Sequence, residues 1–379
     1  MRKILFISFS ENMYDDAFLH RIAITMIEGV GDVLARQLIS YCGGVDAVFK
    51  ERKKALVKIP GIGPKTAAAI ANFKDFKKAE KELEFIHKHK IRVFFYTDAD
   101  YPARMKNCHD APLILYFKGS ESLDARRMIA VVGTREATDY GKDQTKQICL
   151  ELGRAGATIV SGLAYGIDIT AHRTCIEHGI PTIGVVAHGL DRIYPQQHTS
   201  TARKMINLGG ILTENPSGTI PDRENFPKRN RIIAGLCDAV IVTEAAKTGG
   251  ALITADIANS YNRDVFAVPA KVIDLQSEGC NNLIKTHKAA LIQSAQDVLY
   301  IMDWKEDTTS KKQKQIELFH DLNEDEKACL TILTNDAGVY VDEIAISLSK
   351  TQSLTAALLL NLELKGIIQC LPGKKYKKS

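Results

Sequence analysis

Met128-Ile129-Ala130-Val131-Val132-Gly133-Thr134-Arg135 runs five apolar residues into a glycine and an arginine, and Tyr140-Gly141 then opens a helix-like stretch. A short apolar run closed by glycine reads as a β-strand, and the pattern recurs. Residues 157–161 (ATIVS), 182–187 (TIGVVA), 210–213 (GILT), 239–243 (AVIVT) and 264–268 (DVFAV) repeat it, and 92–96 (RVFFY) precede it. Amphipathic segments separate nearly every pair. Such alternation marks βαβ units and a parallel sheet. The strands come one after another and fall short of the eight a barrel needs, so an open doubly wound sheet is expected. Ligands of such sheets sit beyond the carboxyl ends of the strands, and the unusual loops of this chain lie there.

The flanks read differently. A chain of 379 residues exceeds one comfortable core, which points to two or three domains. Its 45% hydrophobic and 25% charged content excludes wholesale disorder, and a net charge of +5 is only mildly basic. The eight cysteines form no CxxC pair, so neither a zinc site nor a disulfide framework is indicated, and reduced thiols in a cytosol are expected. The apolar run Ile4 to Phe9 stops at Ser10 and Glu11, too short for export, and no run approaches the roughly 20 residues of a membrane span. A cytoplasmic protein is the expectation.

Ile27-Glu28-Gly29-Val30-Gly31 is echoed 32 residues later by Ile59-Pro60-Gly61-Ile62-Gly63. Glycines at these turns permit positive φ, and the amides at the next helix start are open to an anion. The repeat resembles a helix-hairpin-helix pair, with Lys65 beside the second turn. Residues 74–90 read as a helix with Phe76, Ala79, Leu83 and Ile86 on one face and its lysines on a solvated one. KEDTTSKKQKQ reads as a linker. Beyond it come three helical runs, the last from Ser353 to Leu364 with Leu354, Leu358 and Leu362 stacked, then Gly366, a strand at 367–371 and a Pro372-Gly373 turn into a lysine-rich tail. The expected domains are 1–82 (helical), 83–303 (α/β), 304–315 (linker) and 316–379 (winged helix).

Four loops carry the chemistry. Gly133-Thr134-Arg135 lets a phosphate approach and offers it a fork of donors. Ser161-Gly162-Leu163-Ala164-Tyr165-Gly166-Ile167-Asp168 has the place of a nucleotide loop without its GxGxxG spacing or a P-loop Lys-Ser/Thr ending. Asp168 reads as a helix cap there, and His172 as a residue that packs or hydrogen-bonds locally. Phe226-Pro227-Lys228-Arg229-Asn230-Arg231, read as a loop before the helical IIAGL, combines a ring that can stack on a base with cations for phosphates. Glu244 to Ala255 holds Lys247 and the Thr248-Gly249-Gly250 turn at a helix start, a phosphate cradle of moderate specificity.

Together with Asp98-Ala99-Asp100-Tyr101-Pro102, SGLAYGIDITAH at 161–172, HGLDRIYP at 188–195, FPKRNRIIAGL at 226–236 and the run Val242 to Pro269, these motifs resemble the DprA/Smf family over nearly the whole length. The resemblance implies an extended Rossmann-like α/β core with a doubly wound, mostly parallel sheet. It also implies a small all-α N-terminal helix-hairpin-helix or SAM-like domain and a C-terminal winged helix. By the same resemblance the core binds single-stranded DNA, forms a homodimer, and hands strands to the RecA recombinase while displacing single-strand-binding protein. Carried over by motif, the DNA contacts are Gly133, Thr134, Arg135, Ser161, Gly162, Phe226, Arg229, Asn230, Arg231, Lys247, Thr248, Gly249 and Gly250. The family usually has Ser-Gly-Ser at 248–250 and Pro-Gly at 269–270, where this chain has Thr-Gly-Gly and Pro-Ala. The first change keeps a hydroxyl and a glycine; the second touches a local turn.

No catalytic constellation, metal ligand set or cofactor is expected. The rival is a nucleoside-monophosphate phosphoribohydrolase, whose PGGxGTxxE motif would fall at Thr248 to Asp256. Leu252 and Ile253 stand where its second Gly and Thr belong, and Asp256 where its Glu does. A metal-dependent nuclease would have only the Asp98/Asp100 pair to build on, which is poor metal chemistry.

Overall fold

The computed structural model describes residues 16–304, 322–333, 338–365, 367–371 and 374–378. The expectations for Ile4 to Phe9, the linker from 305 on, residues 316–321, Gly366 and the Pro372-Gly373 turn fall outside them. The chain divides into two compact units, Met1–Glu306 and Asp307–Ser379.

The first unit opens with short helices, among them Asp16–Ile24, Asp32–Cys42, Pro64–Ala71 and Lys77–His89. The repeat behaves as its glycines require. Gly29 and Gly61 take φ of 80° and 78°, Gly31 and Gly63 directly precede helices, and Ile27, Val30, Ile59 and Ile62 are buried. In Lys77–His89 the expected face holds, with Ala79 and Ile86 buried and Phe76 and Leu83 partly so.

A nine-stranded sheet follows: β1 (Arg92–Phe95), β2 (Ile114–Gly119), β3 (Met128–Gly133), β4 (Thr158–Ser161), β5 (Thr182–Val185), β6 (Gly210–Thr213), β7 (Ala239–Glu244), β8 (Asp264–Ala267) and β9 (Ala290–Leu291). Their order is β1-β2-β6-β5-β4-β3-β7-β8-β9. From β6 to β9 all neighbours are parallel, while β1, β2 and β6 pair antiparallel. The sheet is thus doubly wound and mostly parallel.

Strand alternation sorts the cores. Met128, Ala130 and Val132 of β3 enter one core with Val240 and Val242 of β7, while Ile129, Val131, Ala239 and Ile241 enter another on the opposite face. The same alternation fastens the helical segment to the sheet. Phe94, Leu115 and Phe117 point into the α/β core, whereas Phe95, Ile114 and Tyr116 point into the core formed with Ile22, Leu38, Leu56 and Ile70 of the helices. The β1–β2 ribbon is therefore a wall shared by two cores.

FPKRNR is no loop. It lies inside a helix, Asn225–Leu236, that continues into IIAGL. Pro227 is its third residue, within the first turn, where a missing N–H breaks no helical hydrogen bond. Among the described residues, no helix is long and apolar enough to cross a membrane.

The second unit contains helices Glu324–Ile332, Val341–Ser347 and Gln352–Leu364 and strands β10 (Val339–Tyr340), β11 (Ile368–Leu371) and β12 (Lys375–Lys378), antiparallel in the order β10-β12-β11. Its core is Cys329, Leu333, Ile344, Leu359, Leu362 and Ile368. Leu354 is exposed, because a seam of period 3.6 drifts off a strict spacing of four and buries Thr355, Leu359 and Leu362 instead.

Replacing Phe95, fully buried where ribbon meets helices, by alanine is expected to cost about 3–5 kcal/mol of stability. Urea unfolding measures it, and a loss below about 1 kcal/mol would mean the ribbon does not fasten the helices.

Candidate nucleic-acid interface

The strand order reverses at β3. From there the chain winds through β4, β5 and β6 to one side, then returns to place β7 on the other. Beyond the carboxyl ends of β3 and β7 the crossing connections diverge and leave a crevice. A cleft of about 470 Å³ opens there, lined by Gly133, Thr134, Arg135, Phe226, Arg229, Asn230, Thr248, Gly249 and Gly250 among others.

Its walls are locked by close approaches. The Thr134 amide donates to the Glu244 carbonyl (2.7 Å) and the Ile167 amide to the Thr134 carbonyl (3.2 Å), joining the first two loops to the end of β7. A Cβ on Gly133 would lie 2.3 Å from the Ile167 side chain, so that position must be glycine. The buried Glu244 carboxylate accepts from the Thr138 amide (2.8 Å) and hydroxyl (2.5 Å), and the same hydroxyl caps helix Asp139–Arg154 through the Gly141 amide.

Arg229 forms the floor. Its guanidinium is buried, donates to the Val185 carbonyl and lies against Gly162, where a Cβ would stand 2.3 Å from both Arg229 Nη1 and Asp168 Oδ2. Burial pushes the Asp168 carboxyl up and the neighbouring Arg229 charge pulls it down; burial in turn lowers Arg229, and Asp168 opposes that. Asp168 accepts from the Ala164 amide (3.3 Å), and the residue ahead of its helix, Gly166, has no side-chain cap. It is a counter-charge beneath Arg229 and not the expected helix cap. Asn230 is a strut. Its Oδ1 accepts from Arg229 Nε (3.2 Å) and its Nδ2 donates to the Gly250 carbonyl (3.2 Å), tying the floor to the glycine turn.

The rim carries cations and aromatic rings, with the exposed Glu136 carboxylate beside them. Arg135 is exposed and its guanidinium sits 5.3 Å from the Phe226 ring centre, with that of Arg229 at 6.0 Å on a ring only partly buried. Tyr194, half exposed and unforeseen from sequence, approaches the same ring at 6.4 Å. Lys247 is 79% exposed beside the cleft, 3.7 Å from Glu278. Helix Gly250–Ser260 begins without a side-chain cap, and beyond Gly249's own chain neighbours no atom lies within 4 Å of where its Cβ would be, so the helix start is uncrowded there.

Like Asn230, three more predicted residues are otherwise engaged. The Ser161 hydroxyl is buried and donates to the Val131 carbonyl (2.6 Å). Gly162 serves Arg229. Arg231, two residues along the helix and so about 200° around it, points away from the cleft to Asp32 (2.9 Å), Glu214 and the Asp110 carbonyl. His172 is buried with both ring nitrogens engaged, by the Gly162 carbonyl (2.6 Å) and the Thr182 hydroxyl (2.7 Å), and burial lowers its pKa to about 4. The local role expected of it holds.

Arg231 also separates the two hairpins. Asp32, the first residue of the helix after the first glycine turn, accepts from Arg231 and from the Leu113 amide (2.9 Å), which seals that turn against the sheet. The second turn ends at Gly63 and Pro64 with no side-chain cap and with Lys65 exposed.

With this geometry in view, the sequence relationships are direct. Residues 92–303 match the model of the DNA recombination-mediator protein A family, and residues 22–73 that of a SAM-like helix-hairpin-helix tandem. Protein Smf of Synechocystis is 32% identical, over 94% of this chain and 98% of that protein. The crystal structure of DNA processing protein A from Streptococcus pneumoniae aligns with TM-score 0.65 and 32% identity, over 76% of this chain and 98% of that one. DNA processing protein A from Helicobacter pylori, described with a single-stranded DNA binding mode, aligns with TM-score 0.52 and 29% identity, over 57% and 98%. The chain belongs to the DprA/Smf family of DNA recombination-mediator proteins.

Burial pushes the Glu214 carboxyl up to about 7 against the pull of Arg231. Between its ordinary 4.5 and about 7 the fold retains a proton that the unfolded chain has released, so this contribution is full below the lower value and is lost as pH rises through the upper one. Glu214→Gln is therefore expected to flatten the decline of stability with pH across that window. Unfolding both proteins in urea at pH of about 5 and about 7 tests it; equal slopes would contradict it.

Proposed function

We propose that the cleft grips the backbone of single-stranded DNA and that the chain acts as a recombination mediator without catalysing a reaction. The observation that carries this is the pairing of a buried cation, Arg229, with an exposed one, Arg135, across the Phe226 ring at the switch point, facing the uncapped start of helix Gly250–Ser260. Phosphates meet Arg135, Lys247, Arg229 and the amides of the Thr248-Gly249-Gly250 turn, while Gly133 and Thr134 keep the wall low. Phe226 stacks on a base, and Arg135, which now covers that ring, moves aside to a phosphate as it does so. Ser161, Gly162 and Asn230 hold this arrangement from beneath. Arg231 is not among the contacts.

The reading as a binder is favoured over the phosphoribohydrolase one because Asp256, the residue in the acid position, lies outside the cleft and pairs with Lys288 at 2.8 Å. The nuclease alternative is weakened in the same way, since Asp98 is committed to Arg21 at 2.9 Å. By family resemblance the chain works as a homodimer in the cytoplasm, receives strands from single-strand-binding protein and passes them to RecA. Residues 316–379 would be a winged-helix module dispensable for most binding.

Gel shifts with single- and double-stranded competitors, with and without RecA, test the function. Arg135→Ala and Lys247→Ala are expected to weaken single-strand binding at every sequence and to lower the salt slope by about 0.7 each. Phe226→Ala should cost about 1–3 kcal/mol. Wild-type affinity in all three would remove the cleft from the function, and base release from nucleoside monophosphates that depends on Asp256 would replace the binding role with an enzymatic one.

A further inference from the structure

At the opposite end of the sheet lies a second concavity that the cleft does not explain. Gly119, the last residue of β2, pairs with Gly210, the first of β6, so this end holds the amino ends of the parallel strands. The cleft lies at their carboxyl ends, about 20 Å away along a six-residue strand. An open hollow of about 540 Å³ forms here from Lys88, His89 and Lys90 at the end of helix Lys77–His89, Lys118 to Ser120 at the end of β2, and Ile206 and Asn207.

Its polar side chains are almost all donors. Lys88, Lys90 and Lys118 form no ion pair among the described residues, the Ser120 hydroxyl and Asn207 amide add neutral donors, and no carboxylate lines the hollow. Lys88 and Lys90 suit the negative end of their helix, as last-turn cations do. That does not account for Lys118, which comes from a different element into the same space. The hollow also has an approach. Lys77, Lys81 and Lys88 fall at positions that share one exposed stripe of the helix, interrupted by Glu84. A stripe of about 16 Å leading into a donor-lined hollow suits an extended polyanion better than a single small anion.

We propose that this stripe and hollow form a second nucleic-acid site that takes the phosphodiester backbone of a single strand independently of the cleft. One molecule then holds strand at both ends of its sheet. The choice of nucleic acid as the polyanion rests on the function proposed for the cleft; the site itself does not. Flexible lysines with no Phe, Tyr or Trp among the lining residues, and with the His89 ring packed on Phe85 at 4.4 Å between ring centres, would take phosphates with little stacking on bases, so this contact is more salt-sensitive than the cleft and indifferent to sequence.

The test uses the full chain and a long oligothymidylate, comparing wild type, the cleft variant R135A/K247A and the variant K88Q/K90N/K118Q. Asparagine is chosen at 90 because that residue has φ of 51°, which asparagine tolerates. The lysine variant is expected to lower the slope of log affinity against log salt by about 2, at about 0.7 per phosphate contact. Its far-ultraviolet circular dichroism and urea midpoint should match wild type. An unchanged slope and affinity would overturn the proposal. So would binding of polyglutamate or inorganic phosphate that the variant loses while its DNA binding stays at the wild-type level, since the ligand would then be an acidic protein or free phosphate. If the cleft variant binds like wild type while the lysine variant does not, the cleft reading fails and this one stands; the reverse result condemns this one alone.

Discussion

A guanidinium cannot be buried without partners, and helix Asn225–Leu236 buries one, Arg229, and largely covers a second, Arg231, two residues along and on the opposite side. Arg229 points toward the cleft and is satisfied by the Val185 carbonyl, the Asn230 side chain and the charge of Asp168. Arg231 points the other way and is satisfied by Asp32, Glu214 and the Asp110 carbonyl. Removing either set of partners would strand a charge in the interior, so the helix has little freedom to rotate or slide. The same constraint sets Phe226 at the cleft rim and ties the first helical hairpin to the sheet. One helix thus links the cleft to the packing of the amino-terminal segment.

Around this helix the cleft is made by removal of bulk as much as by addition of charge. Gly162 is needed because Arg229 and Asp168 fill the space of its side chain, and Gly133 because Ile167 does. These contacts are internal, so two of the residues that look like ligand contacts in the sequence act by letting protein groups meet. The groups left facing solvent are Arg135, Lys247, part of Phe226 and the glycine turn. They are few, their two cations have the exposed Glu136 carboxylate beside them, and they stand where a doubly wound sheet leaves its crevice.

Most of the sheet was legible because apolar runs alternating with amphipathic segments have few other solutions. β2 escaped. Its residues, ILYFKG, follow β1 by a connection with no long helix, so the alternation that flagged the others gave no sign of an antiparallel partner. FPKRNR has the composition of a loop, although a proline in a first turn is compatible with the helix it forms. The side taken by Arg231 is illegible without that helix, since only helical phase separates residues 229 and 231 by more than half a turn. Tyr194 had no signal in spacing or composition, because it reaches Phe226 from a separate loop through tertiary packing alone.

The central claim is that a single strand lies in the cleft between Arg135, Phe226 and the glycine turn. Photo-crosslinking of an iodouridine-substituted single strand to the full chain, followed by mapping of the linked peptides, tests it most directly. The account predicts crosslinks at Phe226, which lines the crevice, or at Tyr194 beside it, and their loss when excess unlabelled single strand competes. Crosslinks confined to residues 322–378, with none at the switch point, would contradict it.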